Sequence, residues 1–258
     1  MAAMFTAVSC GPKESQKRAL VLYYSQTNNT KMVAEELAKR LDADIEEIVA
    51  VKPYDGDFMQ TIERCMKERE EGVIPEIKSI KSDVSKYEVI FIGFPVWFGT
   101  YAPPVAKLLE TYDLSGKKVV PFCTFGSGGL ESSAKDMMKA QPNAKIMPGY
   151  GVRAARLDAM PAEIDQFLKE NSYIAGEYVQ LDEFSEFAEV TEEEASIFEK
   201  ATGNYPMMNA KAVMVAKRGI PNGVEYVYIA EDMPSAGEMK VYVNLINNEA
   251  PVFTRVVR

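Results

Sequence analysis

The feature that most constrains this chain is an alternation, five times over, of a strand-like run with a helix-patterned segment. Ala19-Leu20-Val21-Leu22-Tyr23-Tyr24 and Val89-Ile90-Phe91-Ile92-Gly93-Phe94 are continuous apolar runs, as strands buried on both faces require. Ala43 to Val49, Lys118 to Cys123 and Lys145 to Val152 complete the set. Between them, Thr30 to Leu41 places Met32, Val33, Leu37, Ala38 and Leu41 at the 3.6-residue spacing of an amphipathic helix. Phe58 to Glu71, Pro104 to Thr111, Glu131 to Lys139 and Pro161 to Glu170 are also helix-patterned. Strands separated by helices pair in parallel through right-handed crossovers, so residues 18–170 predict an α/β domain with a doubly wound, five-stranded parallel sheet.

Beyond residue 171 the pattern changes. Thr191 followed by Glu192, Glu193 and Glu194 reads as a capping box opening a helix that reaches about Ala201, its acids a solvated start favoured by the helix dipole. Lys211 to Lys217, Glu225 to Ala230, Lys240 to Leu245 and Val252 to Val257 then alternate or are β-branched, with turn signals at Gly219 to Gly223 and at Asn247-Asn248. Strands without helices between them pair antiparallel. Residues 171–258 therefore predict a small α+β domain of one helix and about four antiparallel strands, of unknown role.

Composition removes several function classes. A net charge of −9, with no local Lys/Arg cluster, repels phosphate backbones, so nucleic acid is not an expected partner. The chain has no histidine, which argues against a zinc site and a Ser–His–Asp triad together. Its three cysteines, Cys10, Cys65 and Cys123, are far apart, and Cys123 ends a buried run as a small core residue would. No run approaches the ~18 apolar residues of a membrane span. Residues 1–17 read as a leader. Met1 to Gly11 is a small apolar stretch ending in Ser9-Cys10-Gly11, similar to the tail of a lipoprotein signal in which Cys10 would carry the lipid anchor. It lacks a basic n-region, so a cytoplasmic leader is the alternative.

In a doubly wound sheet, ligands bind outside the carboxyl ends of the strands. Three segments are expected there. Ser25-Gln26-Thr27-Asn28-Asn29-Thr30 lies between the first strand and first helix, where unpaired N–H groups and the helix dipole favour an anion such as a phosphate monoester. Pro95-Val96-Trp97-Phe98-Gly99, running on to Tyr101, follows the third strand as a loop expected to expose the chain's one tryptophan for stacking on a planar ligand. Thr124-Phe125-Gly126-Ser127-Gly128-Gly129 follows the fourth, with three glycines that allow close backbone approach to a flat ring.

These three loops, in this order, resemble those of the flavodoxin family. The first is similar to the flavodoxin phosphate loop, with Ser25, Thr27 and Thr30 in matching places and Asn28 where a glycine is usual; asparagine tolerates the left-handed backbone such a turn needs. The stretch from Gly93 through Pro104, with Cys123 to Gly129, is similar to a flavodoxin-like branch found in many bacteria. The resemblance implies FMN, with Ser25, Thr27, Asn29 and Thr30 on the phosphate, Trp97 near the isoalloxazine face, and the loop after Thr124 along the ring edge. It implies electron transfer between redox partners, or to a small acceptor, without a catalytic side chain. The alternatives are an NAD(P)H-dependent quinone or FMN reductase, and a flavin-free interaction module that keeps the fold.

Overall fold

The computed structural model describes residues 19–205, 208–232 and 237–258; the expected leader and Cys10 lie outside the described residues. The parallel sheet runs from β2 (Asp44–Glu47) at one edge through β1 (Ala19–Tyr23) and the central β3 (Val89–Trp97) to β5 (Lys118–Phe125). The fifth position is shared by β6 (Lys145–Ile146) and β7 (Tyr150–Arg153), and all these pairings are parallel. The one continuous strand expected over Lys145 to Val152 is thus broken. Pro148 in the gap has no N–H to give a ladder. Spatially the order is second, first, third, fourth, fifth, as expected for a flavodoxin-like sheet.

Each face of the sheet is packed by helices. Every residue of β1 is buried, and alternation sends Leu20 and Leu22 to one face, Val21 and Tyr23 to the other. On the Val21 side, α1 (Asn29–Leu41) contributes Val33, Ala34 and Leu37, and α5 (Met160–Glu170) contributes Ile164 and Leu168. On the Leu20 side, α2 (Phe58–Glu70), α3 (Pro103–Thr111) and α4 (Leu130–Ala140) bring Cys65, Val105, Leu108 and Met137. Each fully buried Leu, Ile or Phe stabilises by roughly 1.5–3 kcal/mol. Packing is close enough that Gly93 is required: a Cβ there would sit 2.1 Å from the Phe122 ring.

The C-terminal sheet is antiparallel and has five strands rather than four. β8 (Ala188–Glu189) precedes α6 (Glu192–Thr202), and β9 (Ala210–Ile220), β10 (Gly223–Asp232), β11 (Glu238–Ile246) and β12 (Val252–Val257) form a meander. The additional strand is two residues long and pairs with β9, too short to leave an alternating pattern. The capping box is present: Glu194 N–H donates to Thr191 Oγ1 (3.3 Å), and Thr191 N–H to Glu194 Oε2 (3.1 Å). Asn222, Asn247 and Asn248 adopt left-handed φ in the turns. Phe198 of α6 packs on Tyr228 of β10, whose hydroxyl donates to Glu194 O at 2.9 Å.

Candidate functional site

After β1 the chain turns through Ser25 to Asn28 into α1. Asn28 takes the left-handed conformation expected of it (φ 66°, ψ −7°) and makes no side-chain cap. The turn is held from inside. Lys31 N–H donates to Ser25 Oγ at 3.3 Å, and Met32 N–H to Asn28 O at 3.0 Å. Thr30 is 1% exposed, with its hydroxyl 2.9 Å from that of Thr124 on β5. Ser25 and Asn29 are half-buried, while Thr27 and Asn28 face solvent. No acid occupies the first turn of α1, and Lys39 and Arg40 sit in its last. The dipole's positive end is therefore unopposed by local carboxylates. Gln26 is used differently: its amide donates to Tyr54 O (3.0 Å) and Thr61 Oγ1 (2.8 Å), fastening the loop to α2 and the segment before it.

The expected loop from Pro95 to Tyr101 is instead a hairpin. β3 runs on through Pro95, Val96 and Trp97, turns at Phe98 and Gly99 with φ of 51° and 83°, and returns as β4 (Thr100–Tyr101). Two consecutive left-handed residues match the twist of the strands, a geometry that a stretch read as simple loop does not announce. The hairpin is tied to α4 by Ser132 Oγ donating to Gly99 O, and by Thr100 Oγ1 donating to Asp136 Oδ2 at 2.9 Å.

Trp97 is half-buried, not fully exposed as expected. Its ring meets Tyr24 edge-on (5.8 Å, 90°) and Tyr54 at 5.1 Å and 74°. Phe98 beside it is 48% exposed, with the Arg69 guanidinium 5.3 Å from its ring centre. Tyr54 is fixed in turn by its hydroxyl donating to Glu68 (2.5 Å) and by Arg64 3.8 Å above its ring. Burial, above all, raises the pKa of Tyr24 and Tyr54, so both are neutral phenols near pH 7. Burial likewise pushes the Cys65 thiol up to about 11 and holds Cys123 well above its ordinary value.

The third expected loop begins later than the sequence suggested. Thr124 and Phe125 still belong to β5 and are buried, and the turn proper is Gly126 to Gly129, exposed at Gly126 and half-buried from Ser127 on, with Gly129 capping α4. Phe125 is consequently a core side chain. Arg153, at the end of β7, donates from Nε to Gly126 O at 2.8 Å. Sequence reasoning missed Tyr24, Tyr54 and Arg153. Position was the available signal, since Tyr24 directly precedes Ser25, Tyr54 follows the second strand and Arg153 ends the fifth.

Together the carboxyl ends of β1, β3 and β5 present a helix N-terminus with neutral hydroxyl and amide donors, an aromatic cluster beside it, and a glycine-rich turn. That donor set fits a phosphate monoester joined to a flat ring. Among the described residues no group of three His, Cys, Asp or Glu side chains could hold a metal ion, and no helix is long and apolar enough to cross a membrane.

Comparison with known proteins agrees with the topology. No curated protein sequence matches the chain. Among solved structures, a Bacteroides uniformis protein is 26% identical with a TM-score of 0.51, covering 57% of this chain and 97% of its own. A Bacteroides eggerthii protein is 30% identical (TM-score 0.49; 57% of this chain, 96% of its own). A Lactobacillus acidophilus flavoprotein, solved in complex with FMN, is 26% identical (TM-score 0.47; 52% of this chain, 93% of its own). The flavodoxin family profile matches residues 18–163, a span that contains all three crevice segments and ends before the antiparallel sheet. With the parallel sheet in the expected strand order and more than half of its length matched, the chain belongs to the flavodoxin family.

Proposed function

We propose that this crevice binds FMN non-covalently and that the protein carries electrons. The observation that supports it most is the convergence of three segments at one end of the sheet, with the α1 turn joined to the β5 end through Thr30 and Thr124. In this reading, backbone and side-chain donors of Ser25, Thr27, Asn28, Asn29 and Thr30 hold the phosphate. Pro95, Val96, Trp97, Phe98 and Gly99 line one side of the ring, and Gly126 and Gly128 its edge. Gln26 and Phe125 act indirectly, by bracing the loop and filling the core beneath it.

When bound, the flavin supplies reversible one- or two-electron chemistry. The chain's own contribution is binding, orientation and exclusion of water. Tyr24 and Tyr54 stay protonated and pack, and the chain has no histidine to serve as a base near pH 7. A net charge of −9 favours encounter with a basic redox partner, an effect on association rate that salt weakens. The test is NAD(P)H oxidation by FMN-loaded protein with a quinone present. An electron carrier shows turnover only when a reductase partner is added, whereas saturable turnover by the protein alone contradicts the carrier role and indicates a reductase.

A further inference from the structure

The antiparallel domain does not stand apart from the crevice; it is docked on the turn that follows β5. Val256 N–H, on the edge strand β12, donates to Ser127 O at 2.6 Å, and Gly128 forms a single parallel bridge with Val256. The approach leaves no room for a side chain: a Cβ on Gly128 would lie 2.0 Å from Val256 O. Arg153 spans the junction. Its Nε donates to Gly126 O and its Nη1 to Phe253 O, each at 2.8 Å, while its guanidinium lies 4.3 Å from the Phe253 ring centre and 5.3 Å from that of Tyr205. Tyr205 covers the turn itself, since a Cβ built on Gly126 would be 3.3 Å from its hydroxyl.

We propose that the C-terminal domain completes the flavin site as one of its walls, with Arg153, Tyr205 and the Val256 amide as positioning groups that set the Gly126–Gly129 turn before the cofactor arrives. This rests on the FMN reading above. The physical reason lies in the turn's composition. Three of its four residues are glycine, the residue that loses most freedom on ordering, and each residue left to be fixed by the ligand weakens binding by roughly tenfold. Two carbonyls of the turn, Gly126 O and Ser127 O, are instead already held by groups of the docked face. The contact also occupies an unpaired strand edge, which would otherwise be open to pairing with another chain.

The experiment uses the full chain with Gly128→Ala and Arg153→Gln. Gly128 is not in the left-handed region, so alanine is resisted only by its neighbour Val256. Flavin-stripped protein is titrated with FMN by fluorescence, and amide exchange is followed at Val256, whose N–H donates to Ser127 O, and at Lys31 and Met32, whose N–H groups close the α1 turn. Each variant is expected to bind FMN about tenfold more weakly, with faster exchange at Val256 and unchanged exchange at Lys31 and Met32. In the unliganded parent the Val256 amide is expected to be protected already. If both variants fold and bind FMN within about twofold of the parent, or if the parent's Val256 amide becomes protected only on FMN addition, the inference is overturned while the FMN reading stands. Failure of the parent itself to bind FMN overturns both.

Discussion

Replacing Thr30 with valine keeps the shape of the side chain and deletes one hydroxyl. Thr30 is 1% exposed and Thr124 is 4% exposed, so the substitution leaves the Thr124 hydroxyl buried without the partner it has at 2.9 Å. An unsatisfied buried group of this kind costs ~1–3 kcal/mol. At roughly 2–4 °C per kcal/mol, Tm of the parallel-sheet domain should fall by about 2–12 °C. Thr124→Val should cost a similar amount for the same reason. The double variant removes both hydroxyls and leaves nothing unpaired, so it should be less destabilised than the sum of the singles, with a coupling of ~1–2 kcal/mol. Denaturant melts of the four proteins measure that coupling. FMN affinity is read in the same samples: Thr30→Val should lose about tenfold or more, because a donor to phosphate is removed, and Thr124→Val less. Additivity of the singles to within ~0.5 kcal/mol would refute the pairing as an energetic link between the α1 turn and β5.

Two further outcomes follow from local geometry. Asn28→Gly should fold and bind FMN like the parent, whereas Asn28→Val should lose ~1–2 kcal/mol of stability because a β-branched side chain is forced to φ 66°; chemical denaturation of both variants decides it. For Glu194, desolvation alone raises the pKa, but hydrogen bonds from Thr191 and the ion pair with Lys217 outweigh it and hold the value below the ordinary 4.5. A carboxylate depressed on folding contributes stability that is present above its unfolded pKa and is lost as pH falls through its folded one. Glu194→Gln should therefore be less stable than the parent above the ordinary 4.5, and the gap should close as pH falls below it. A gap independent of pH would contradict this assignment.

The fold was legible in the sequence wherever a pattern has a local cause. Runs such as Ala19 to Tyr24 can be satisfied only between two helical layers, and Thr191 with Glu194 specifies a helix start by chemistry alone. What was not legible depends on pairing at a distance. The hairpin at Phe98-Gly99 arises because Trp97 and Thr100 pair on a strand extended past its apolar run. Trp97 was expected to be exposed; its half-buried position is set by Tyr24 and Tyr54, 73 and 43 residues away in sequence. Phe125 looked like a loop residue because glycines follow it immediately, yet it completes β5. The docking of β12 on Gly128 left no sequence signal of its own: the glycine was read as room for a flat ring, whereas its missing side chain makes room for Val256.

The central claim is tested most directly by titrating flavin-stripped protein with FMN, following flavin absorbance and fluorescence, with Trp97→Ala alongside. The account predicts saturable one-to-one binding that is weaker in the variant, since stacking adds on the order of 1 kcal/mol beyond the area it buries. Absence of binding by the intact, folded protein would contradict it and leave a flavodoxin-shaped interaction module.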